Sequence, residues 1–183
     1  NLNTARKTFA GAGVSTSGLG FGGKAPPGSP DLKAETESWN GTNWTEVNDL
    51  NTARQGPAGC GASNTAALAM GGYTTTYLAI TETWNGSNWT EVNDMNTTRF
   101  VGAAAGTNTS ALVYGGEVSP PTANTEEWNG ASWVEVANLN TARAALAGAG
   151  NTTNALAFGG EDPAGNLTEE WSSSSNVVKT LTD

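Results

Sequence analysis

Histidine is absent from this sequence of 183 residues, and there is a single cysteine, Cys60. The lack of histidine excludes His-based catalytic triads and His-rich metal sites, and a lone cysteine excludes an internal disulfide. Basic residues are scarce, since 8 Lys and Arg stand against 17 Asp and Glu, a formal net charge of -9. Phosphate binding relies on clustered Lys and Arg. We therefore expect no nucleic-acid partner and no cofactor.

Long apolar runs are also missing, because none approaches the roughly 20 residues of a membrane-spanning helix. The sequence thus predicts a soluble chain without membrane insertion. It opens at Asn1 without a methionine or a signal-like apolar segment, as expected of a chain processed or cut from a longer parent. Apolar residues show no 3.6-residue period, and Gly, Asn and Thr are abundant. The composition favours strands and turns over helices.

What the sequence does contain is a repeat of about 45 residues with three landmarks in constant order. The first landmark is a tryptophan near the middle of each copy: Trp39, Trp84, Trp128 and Trp171. The second is a Gly-Gly pair after a short apolar run, at residues 22–23, 71–72, 115–116 and 159–160. The third is Asn-Thr-Ala-Arg or a close variant, ending at Arg6, Arg54, Arg99 and Arg143. Such a period is typical of solenoids, propellers and arrays.

The repeat units span about 1–49, 50–94, 95–138 and 139–183. A unit of this size cannot bury its apolar face alone, so we expect one domain over residues 1–183. Each unit divides into four short segments, which in the first unit are residues 6–14, 18–21, 36–39 and 44–47. Asn-Gly pairs after the first tryptophans supply the positive φ angles of tight hairpins. Four strands per unit, repeated radially, predict a propeller blade.

The order of these landmarks resembles the kelch motif, although kelch repeats usually have tyrosine where this chain has its first tryptophan. The pattern Trp-Asn-Gly-x-x-Trp with Asn-Thr-Ala-Arg is similar to repeats in proteins of marine bacteriophages, including cyanophages. The first resemblance implies an all-β fold, a kelch-like β-propeller with four blades of four antiparallel strands. The second implies a virion appendage, located on a virion or another extracellular surface.

Four units leave two architectures open, because kelch rings usually have more than four blades. The chain is either a compact four-bladed ring or a fragment that closes with other copies. Gly- and Ala-rich first segments favour the closed ring, since small side chains let four such strands crowd a narrow axis. An ion held on that axis by backbone carbonyls also stays open.

Seven tryptophans recur at fixed positions and allow two interpretations, stacking on a pyranose ring or packing of one unit against the next. We expect packing, because Val177 takes the place of the second tryptophan in the fourth unit. An apolar side chain can replace an indole in packing but not in stacking. The residues given this structural role are Trp39, Trp44, Trp84, Trp89, Trp128, Trp133 and Trp171.

Charged residues recur with the same period, and we expect them to be structural as well. A guanidinium satisfies several acceptors, so each recurring arginine should tie a turn between units through carbonyl or carboxylate bonds. Adjacent acids such as Glu126 and Glu127 point to opposite faces of a strand and cannot act as an acid and base pair. Cys60 aligns with alanines and has no histidine to activate it. The recurring acids are Glu37, Glu82, Glu126 and Glu169.

The loops between the second and third segments differ in every unit, whereas the connections between units repeat nearly verbatim. Variable loops on a repeated frame usually carry binding specificity, and the alternative is that nothing constrains them. Tyr73 and Tyr77 are the best candidates, as amphipathic aromatic residues in a polar loop, with edge packing as the alternative. The candidate binding residues are Lys24, Asp31, Tyr73, Tyr77, Glu117 and Asp162.

Two functions follow from the resemblance and the variable loops. The first is a non-enzymatic binding or display module that contacts a host glycan or protein, or other virion proteins. The second is a purely structural repeat that assembles with copies of itself as a homo-oligomer or with a partner. We do not expect an enzyme, because histidine is absent and no polar constellation falls outside the repeat.

Overall fold

The computed structural model describes residues 1–26, 31–161, 165–173 and 177–181, and no helix occurs among them. No helix that could cross a membrane is therefore found in this part of the chain. The strands form four sheets, numbered here in chain order. Sheet 1 contains β1 Ala10–Val14, β2 Ser17–Phe21, β3 Thr36–Trp39 and β4 Trp44–Val47. Sheet 2 contains β5 Ala58–Ser63, β6 Ala66–Met70, β7 Thr81–Trp84 and β8 Trp89–Val92. Sheet 3 contains β9 Ala103–Gly106, β10 Ala111–Tyr114, β11 Thr125–Trp128 and β12 Trp133–Val136. Sheet 4 contains β13 Ala147–Gly150, β14 Asn154–Phe158, β15 Thr168–Ser172 and β16 Val177–Leu181.

Each sheet is an antiparallel meander in which strand order follows the chain. The prediction of an all-β fold with four antiparallel four-stranded sheets is thereby confirmed. In the first unit the third and fourth strands match the predicted segments, whereas the first begins at Ala10 and not at Arg6, and the second begins at Ser17 and not at Gly18. The two tryptophans of a unit face each other across the third and fourth strands, as Trp84 and Trp89 do.

The Asn-Gly turns differ in detail from the tight hairpins that the sequence predicts. Residues 40–43 form a loop of four residues between the paired Trp39 and Trp44. Only Gly41 has a positive φ, of 92°, while the Asn40 Oδ1 atom accepts the backbone N–H groups of Thr42 and Asn43. Asparagine therefore contributes its side chain to the turn, as in an Asx-turn, and glycine contributes the left-handed backbone.

Neighbouring sheets pack face to face through two surfaces that recur in every unit. The front face of a sheet carries the second-strand positions of Leu19 and Phe21, and the back face carries the tryptophan pair. The front face of sheet 1 meets the back face of sheet 2, where the rings of Phe21 and Trp89 lie 4.9 Å apart edge to face. The Trp89 Nε1 atom also donates to the Thr36 Oγ1 atom across this interface, at 2.9 Å.

Five of the seven tryptophans are buried in this way, whereas Trp39 and Trp44 are partly exposed. The expectation that all seven are core residues is therefore wrong for the first pair. The physical reason is that no sheet among the described residues covers the back face of sheet 1. The buried five are Trp84, Trp89, Trp128, Trp133 and Trp171.

The fourth unit corrects a second detail, because Val178 and not Val177 lies opposite Trp171. Val177 is 51% exposed, and Val178 packs against the cluster that contains Trp171. Strand side chains alternate between faces, so a shift of one residue exchanges the buried and exposed positions. The residue that replaces the second tryptophan in packing is therefore Val178, one position after the predicted Val177.

The four sheets do not close into a ring. Packing runs from β1 to β5, from β5 to β9 and from β9 to β13. On the front face of sheet 4, however, Phe158 is 40% exposed, although the equivalent Tyr114 of sheet 3 is only 3% exposed. The closed four-bladed ring favoured by the small residues of the first strands is therefore not confirmed.

Candidate functional site

The variable loops begin at equivalent positions, because the residue after each Gly-Gly pair forms an isolated β-bridge with the residue after each recurring arginine. The arginine-side residues are themselves variable, although the Asn-Thr-Ala-Arg stretch before them repeats. These bridges place two variable side chains per unit on a constant frame. The bridged pairs are Lys24 with Lys7, Tyr73 with Gln55, Glu117 with Phe100, and Glu161 with Ala144.

Three aromatic side chains meet at this surface and are called here the aromatic cluster: Tyr73, Tyr77 and Phe100. The ring centroids of Tyr73 and Tyr77 are 5.5 Å apart, and those of Tyr73 and Phe100 are 5.8 Å apart. All three residues are partly exposed. The two tyrosines come from the loop of sheet 2, and Phe100 comes from the turn that leads into sheet 3. The cluster thus spans two units.

Glu117 sets the electrostatics of the aromatic cluster. Burial, together with the nearby Glu117 carboxylate, raises the pKa of Tyr77. The Glu117 Oε1 atom also accepts the backbone N–H of Ser119 at 2.7 Å. A carboxylate held in this way can accept hydrogen bonds from ligand hydroxyls while the rings supply apolar area.

The remaining candidate binding residues lie elsewhere or outside the described residues. Lys24 and Asp31 belong to the loop of sheet 1, where the Asp31 carbonyl accepts the backbone N–H of Ala25 at 3.0 Å. Asp162 lies outside the described residues. The structure therefore brings together Tyr73, Tyr77 and Glu117 out of the six candidates.

Sequence reasoning missed Phe100, which follows the recurring arginine in a connection interpreted as pure scaffold. The equivalent positions hold Lys7, Gln55 and Ala144, so the chain becomes variable at the first residue after the recurring arginine, where the repeated Asn-Thr-Ala-Arg stretch ends. That variability was the available signal. A position-by-position comparison of the units finds it, whereas a comparison of whole loops does not.

The recurring arginines and glutamates form buried ion pairs within each unit. The Arg99 Nη2 atom lies 2.7 Å from the Glu126 Oε1 atom, and the Arg99 Nη1 atom donates to the carbonyls of Gly115 and Asn124 at 2.8 and 2.9 Å. Burial lowers the pKa of Arg99, and the Glu126 carboxylate opposes that shift. The equivalent pairs are Arg6 with Glu37, Arg54 with Glu82, and Arg143 with Glu169.

Each glutamate also holds the Asn-Thr-Ala-Arg turn that precedes its own sheet. The Glu126 carboxylate accepts the backbone N–H groups of Asn96 and Thr97 at 2.6 and 3.1 Å. The Asn96 Nδ2 atom donates onward to the carbonyl of Trp133 at 3.3 Å. The Asn-Thr-Ala-Arg segment therefore binds the chain that enters a sheet to the third and fourth strands of that sheet.

These buried charges are occupied by structural bonds and offer no catalytic pair. Glu126 is buried against Arg99, while its neighbour Glu127 is partly exposed on the opposite face of the strand. Burial raises the pKa of the Cys60 thiol to about 12, which removes the thiolate that a nucleophile needs. In the part of the chain that the structure describes, no cluster of His, Cys, Asp and Glu could hold a metal ion.

The first strands of all four sheets line a central cavity of about 240 Å³. Its lining consists of glycine and alanine residues and Cys60. No charged side chain is among these lining residues. The cavity adds no chemical group to the candidate site at the bridges.

Comparison of the chain with models of protein families and with curated proteins gives no match. The resemblance to kelch repeats and to marine phage repeats therefore stays a prediction.

Proposed function

We propose that this chain is a non-enzymatic binding module of the β-propeller type, in which each sheet is a blade and the variable loops contact a ligand. The observation that carries the proposal is the aromatic cluster of Tyr73, Tyr77 and Phe100 beside the Glu117 carboxylate. The repeated meanders and their sheet-to-sheet packing support the blade assignment. None of the bridged residues is a member of the ion pairs that hold the frame.

The ligand class that fits best is a glycan on a host surface, with a host protein as the alternative. A pyranose ring has one apolar face and a rim of hydroxyl groups. Partly exposed rings of Tyr73 and Phe100 suit the apolar face, and the Glu117 carboxylate can accept hydrogen bonds from hydroxyls. Together with the phage-like repeat, this favours a host-attachment role on a virion or another extracellular surface.

Glycan-array and host-cell binding of the full chain test this proposal. Tyr73→Ala removes the ring that contacts both others, so we expect binding to weaken about tenfold, equivalent to about 1.4 kcal/mol. Glu161→Ala is the matched control, because Glu161 occupies the same bridge position in sheet 4 and is exposed. Thermal unfolding of both variants separates lost binding from lost folding.

Simultaneous replacement of all four bridge positions after the Gly-Gly pairs gives the decisive variant. Binding that survives the loss of Lys24, Tyr73, Glu117 and Glu161 contradicts the proposed site. Binding that is lost in this variant and retained in a variant changed only on the exposed fourth strands supports it.

The second candidate function is a structural repeat that assembles with copies of itself or with other virion proteins. The exposed back face of sheet 1 and front face of sheet 4 favour it. Binding through the bridges and assembly through the sheet faces use different surfaces, so one protein can do both. A monodisperse monomer in solution argues against assembly.

A further inference from the structure

The three sheet-to-sheet interfaces inside the chain are copies of one another. Each buried cluster joins the front face of one sheet to the back face of the next. In the first interface Leu19 and Phe21 pack with Trp84 and Trp89. In the second, Leu68 and Met70 pack with Trp128 and Trp133. In the third, Leu112 and Tyr114 pack with Trp171.

One copy of each face has no partner within the described structure. On the front face of sheet 4, Leu156 and Phe158 are 38% and 40% exposed. On the back face of sheet 1, Trp39 and Trp44 line an open groove of about 440 Å³. These are the two halves of the interface that the chain forms three times internally.

One pair of positions at each interface, a front-face residue and a first-strand residue of the next sheet, indicates that the two open faces are complementary in size. Where the front face presents an aromatic residue, the first strand of the next sheet presents glycine. A Cβ atom at Gly59 would lie 2.7 Å from the Phe21 ring, and one at Gly148 would overlap the Tyr114 hydroxyl. The interface with Met70 on the front face has Ala104 at this position.

The open faces obey the same rule, because sheet 4 presents Phe158 and sheet 1 presents Gly11 at the equivalent positions. A Cβ atom at Gly11 would meet only the Leu19 carbonyl, at 3.4 Å. The space that Gly59 and Gly148 leave for an incoming ring is therefore vacant at Gly11. Phe158 is an aromatic side chain of the size that this space admits.

A backbone hydrogen bond also recurs at each interface between neighbouring sheets. The second glycine of each Gly-Gly pair donates to the arginine carbonyl of the next unit, from Gly23 to Arg54 at 2.8 Å and from Gly116 to Arg143 at 2.9 Å. Among the described residues the Gly160 N–H has no such acceptor and the Arg6 carbonyl has no such donor. The open faces thus carry one donor and one acceptor that are equivalent to a pair bonded at the internal interfaces and that are not bonded to each other within the described residues.

We propose that the front face of sheet 4 binds the back face of sheet 1 of a second copy of this chain, head to tail. The occupant is a second copy because the sheets of one chain do not close on each other. The face that matches Phe158, with Gly11 and two indoles, is then supplied by another molecule. The interface is heterologous, so it produces a closed ring or a filament. This inference rests on the assembly function proposed above and does not involve the aromatic cluster.

The test is the molar mass of the full chain in solution, measured by light scattering over a concentration series. We expect masses of at least twice the 18.6 kDa of one chain, falling on dilution. A defined dimeric mass indicates a ring and a growing mass indicates a filament, and both support the interface. A mass of one chain at all concentrations overturns the proposal.

Two variants each block one face. Gly11→Leu fills the space that receives Phe158, and Phe158→Asp places a charge in the apolar interface. Each should raise the dissociation constant about thirtyfold or more, as expected for an interface anchor. Val134→Ser is the matched control, because Val134 is a 54% exposed apolar strand residue on neither open face. Equal masses for all three variants overturn the assignment.

Mixing the two blocked variants provides the sharpest result. Gly11→Leu keeps an intact front face and Phe158→Asp keeps an intact back face, so the mixture should form a complex of two chains and no larger species. A mixture that stays monomeric while the unmodified chain assembles overturns the head-to-tail geometry. Glycan binding measured on the same variants should be unchanged, which separates failure of this interface from failure of the bridge site.

Discussion

Glu126 offers the most direct test of the frame, because its carboxylate joins a buried charge to a turn. Glu126→Gln keeps the shape of the side chain and removes its charge. The carboxylate accepts the backbone N–H groups of Asn96 and Thr97 and the Nη2 group of Arg99, at 2.6, 3.1 and 2.7 Å. A glutamine has one carbonyl oxygen for these donors, and its amide nitrogen would face another donor.

The expected loss of stability follows from the burial of the pair. The side chains of Arg99 and Glu126 are at most 1% exposed, so the substitution leaves a guanidinium charge in the interior without its counter-ion. Breaking such a pair by removing one partner typically costs about 3 to 5 kcal/mol. For a chain of this length each kcal/mol lowers Tm by about 2 to 4 °C. We expect a decrease of about 6 to 20 °C.

Thermal and urea unfolding, followed by tryptophan fluorescence, measure this effect. Glu127→Gln is the matched control, since Glu127 is the next residue of the same strand and is partly exposed on the other face. Its loss should stay within about 0.5 kcal/mol, as for surface substitutions. Similar losses for the two variants, or an unchanged Tm for Glu126→Gln, refute the reasoning.

Three further predictions concern single side chains. Gly148→Ala should destabilise the chain by about 1 to 3 kcal/mol in urea unfolding, because its Cβ would collide with Tyr114. Cys60 should not react with a thiol reagent at pH 8 until the chain unfolds, because burial raises its pKa to about 12. The absorbance titration of Tyr77 should lie above its usual 10.0 and move down in Glu117→Gln. The Tyr77 contribution to stability is present below pH 10 and is lost as pH rises through the raised pKa.

Controls separate the causes of these effects. Tyr114→Met combined with Gly148→Ala reproduces the pairing of Met70 with Ala104, so it should recover part of the lost stability. A double variant as unstable as Gly148→Ala alone speaks against the collision. Fast labelling of Cys60 in the folded chain, or a Tyr77 titration indifferent to Glu117, contradicts the corresponding account.

The sheets were predictable because the same strand and turn signals recur in four repeat units, and each unit forms the same four-stranded sheet. Asn-Gly marks a chain reversal in the first three units and Gly-Gly ends the second strand in all four, and alternation places the tryptophan pair on one face of the sheet. The ion pair between Arg99 and Glu126 was less predictable, because the sequence shows that both residues recur in every unit but not that they contact each other. Recurrence in the sequence identified the two residue types, and the structure shows that they form an ion pair.

The arrangement of the sheets relative to one another was not predictable, because the landmarks are compatible with more than one partner. Phe158 and Trp39 need an apolar surface, but nothing in their chemistry states whether that surface belongs to the same chain. Likewise, the register at Val178 depends on the length of a connection that departs from the other units. The aromatic cluster depends on Phe100, which lies at a position that holds a different residue in every unit.

Where a sheet-to-sheet interface has an aromatic side chain on one sheet, that side chain requires a glycine on the next. This requirement limits which repeat units can be deleted from the gene by recombination without disrupting packing. Loss of residues 51–95 would set Phe21 against Ala104, a combination that the Cβ clearance at Gly59 shows to be too tight. Loss of residues 96–139 would instead set Met70 over Gly148 and leave only a small gap. Shortened descendants that still fold should therefore lack the third copy more often than the second.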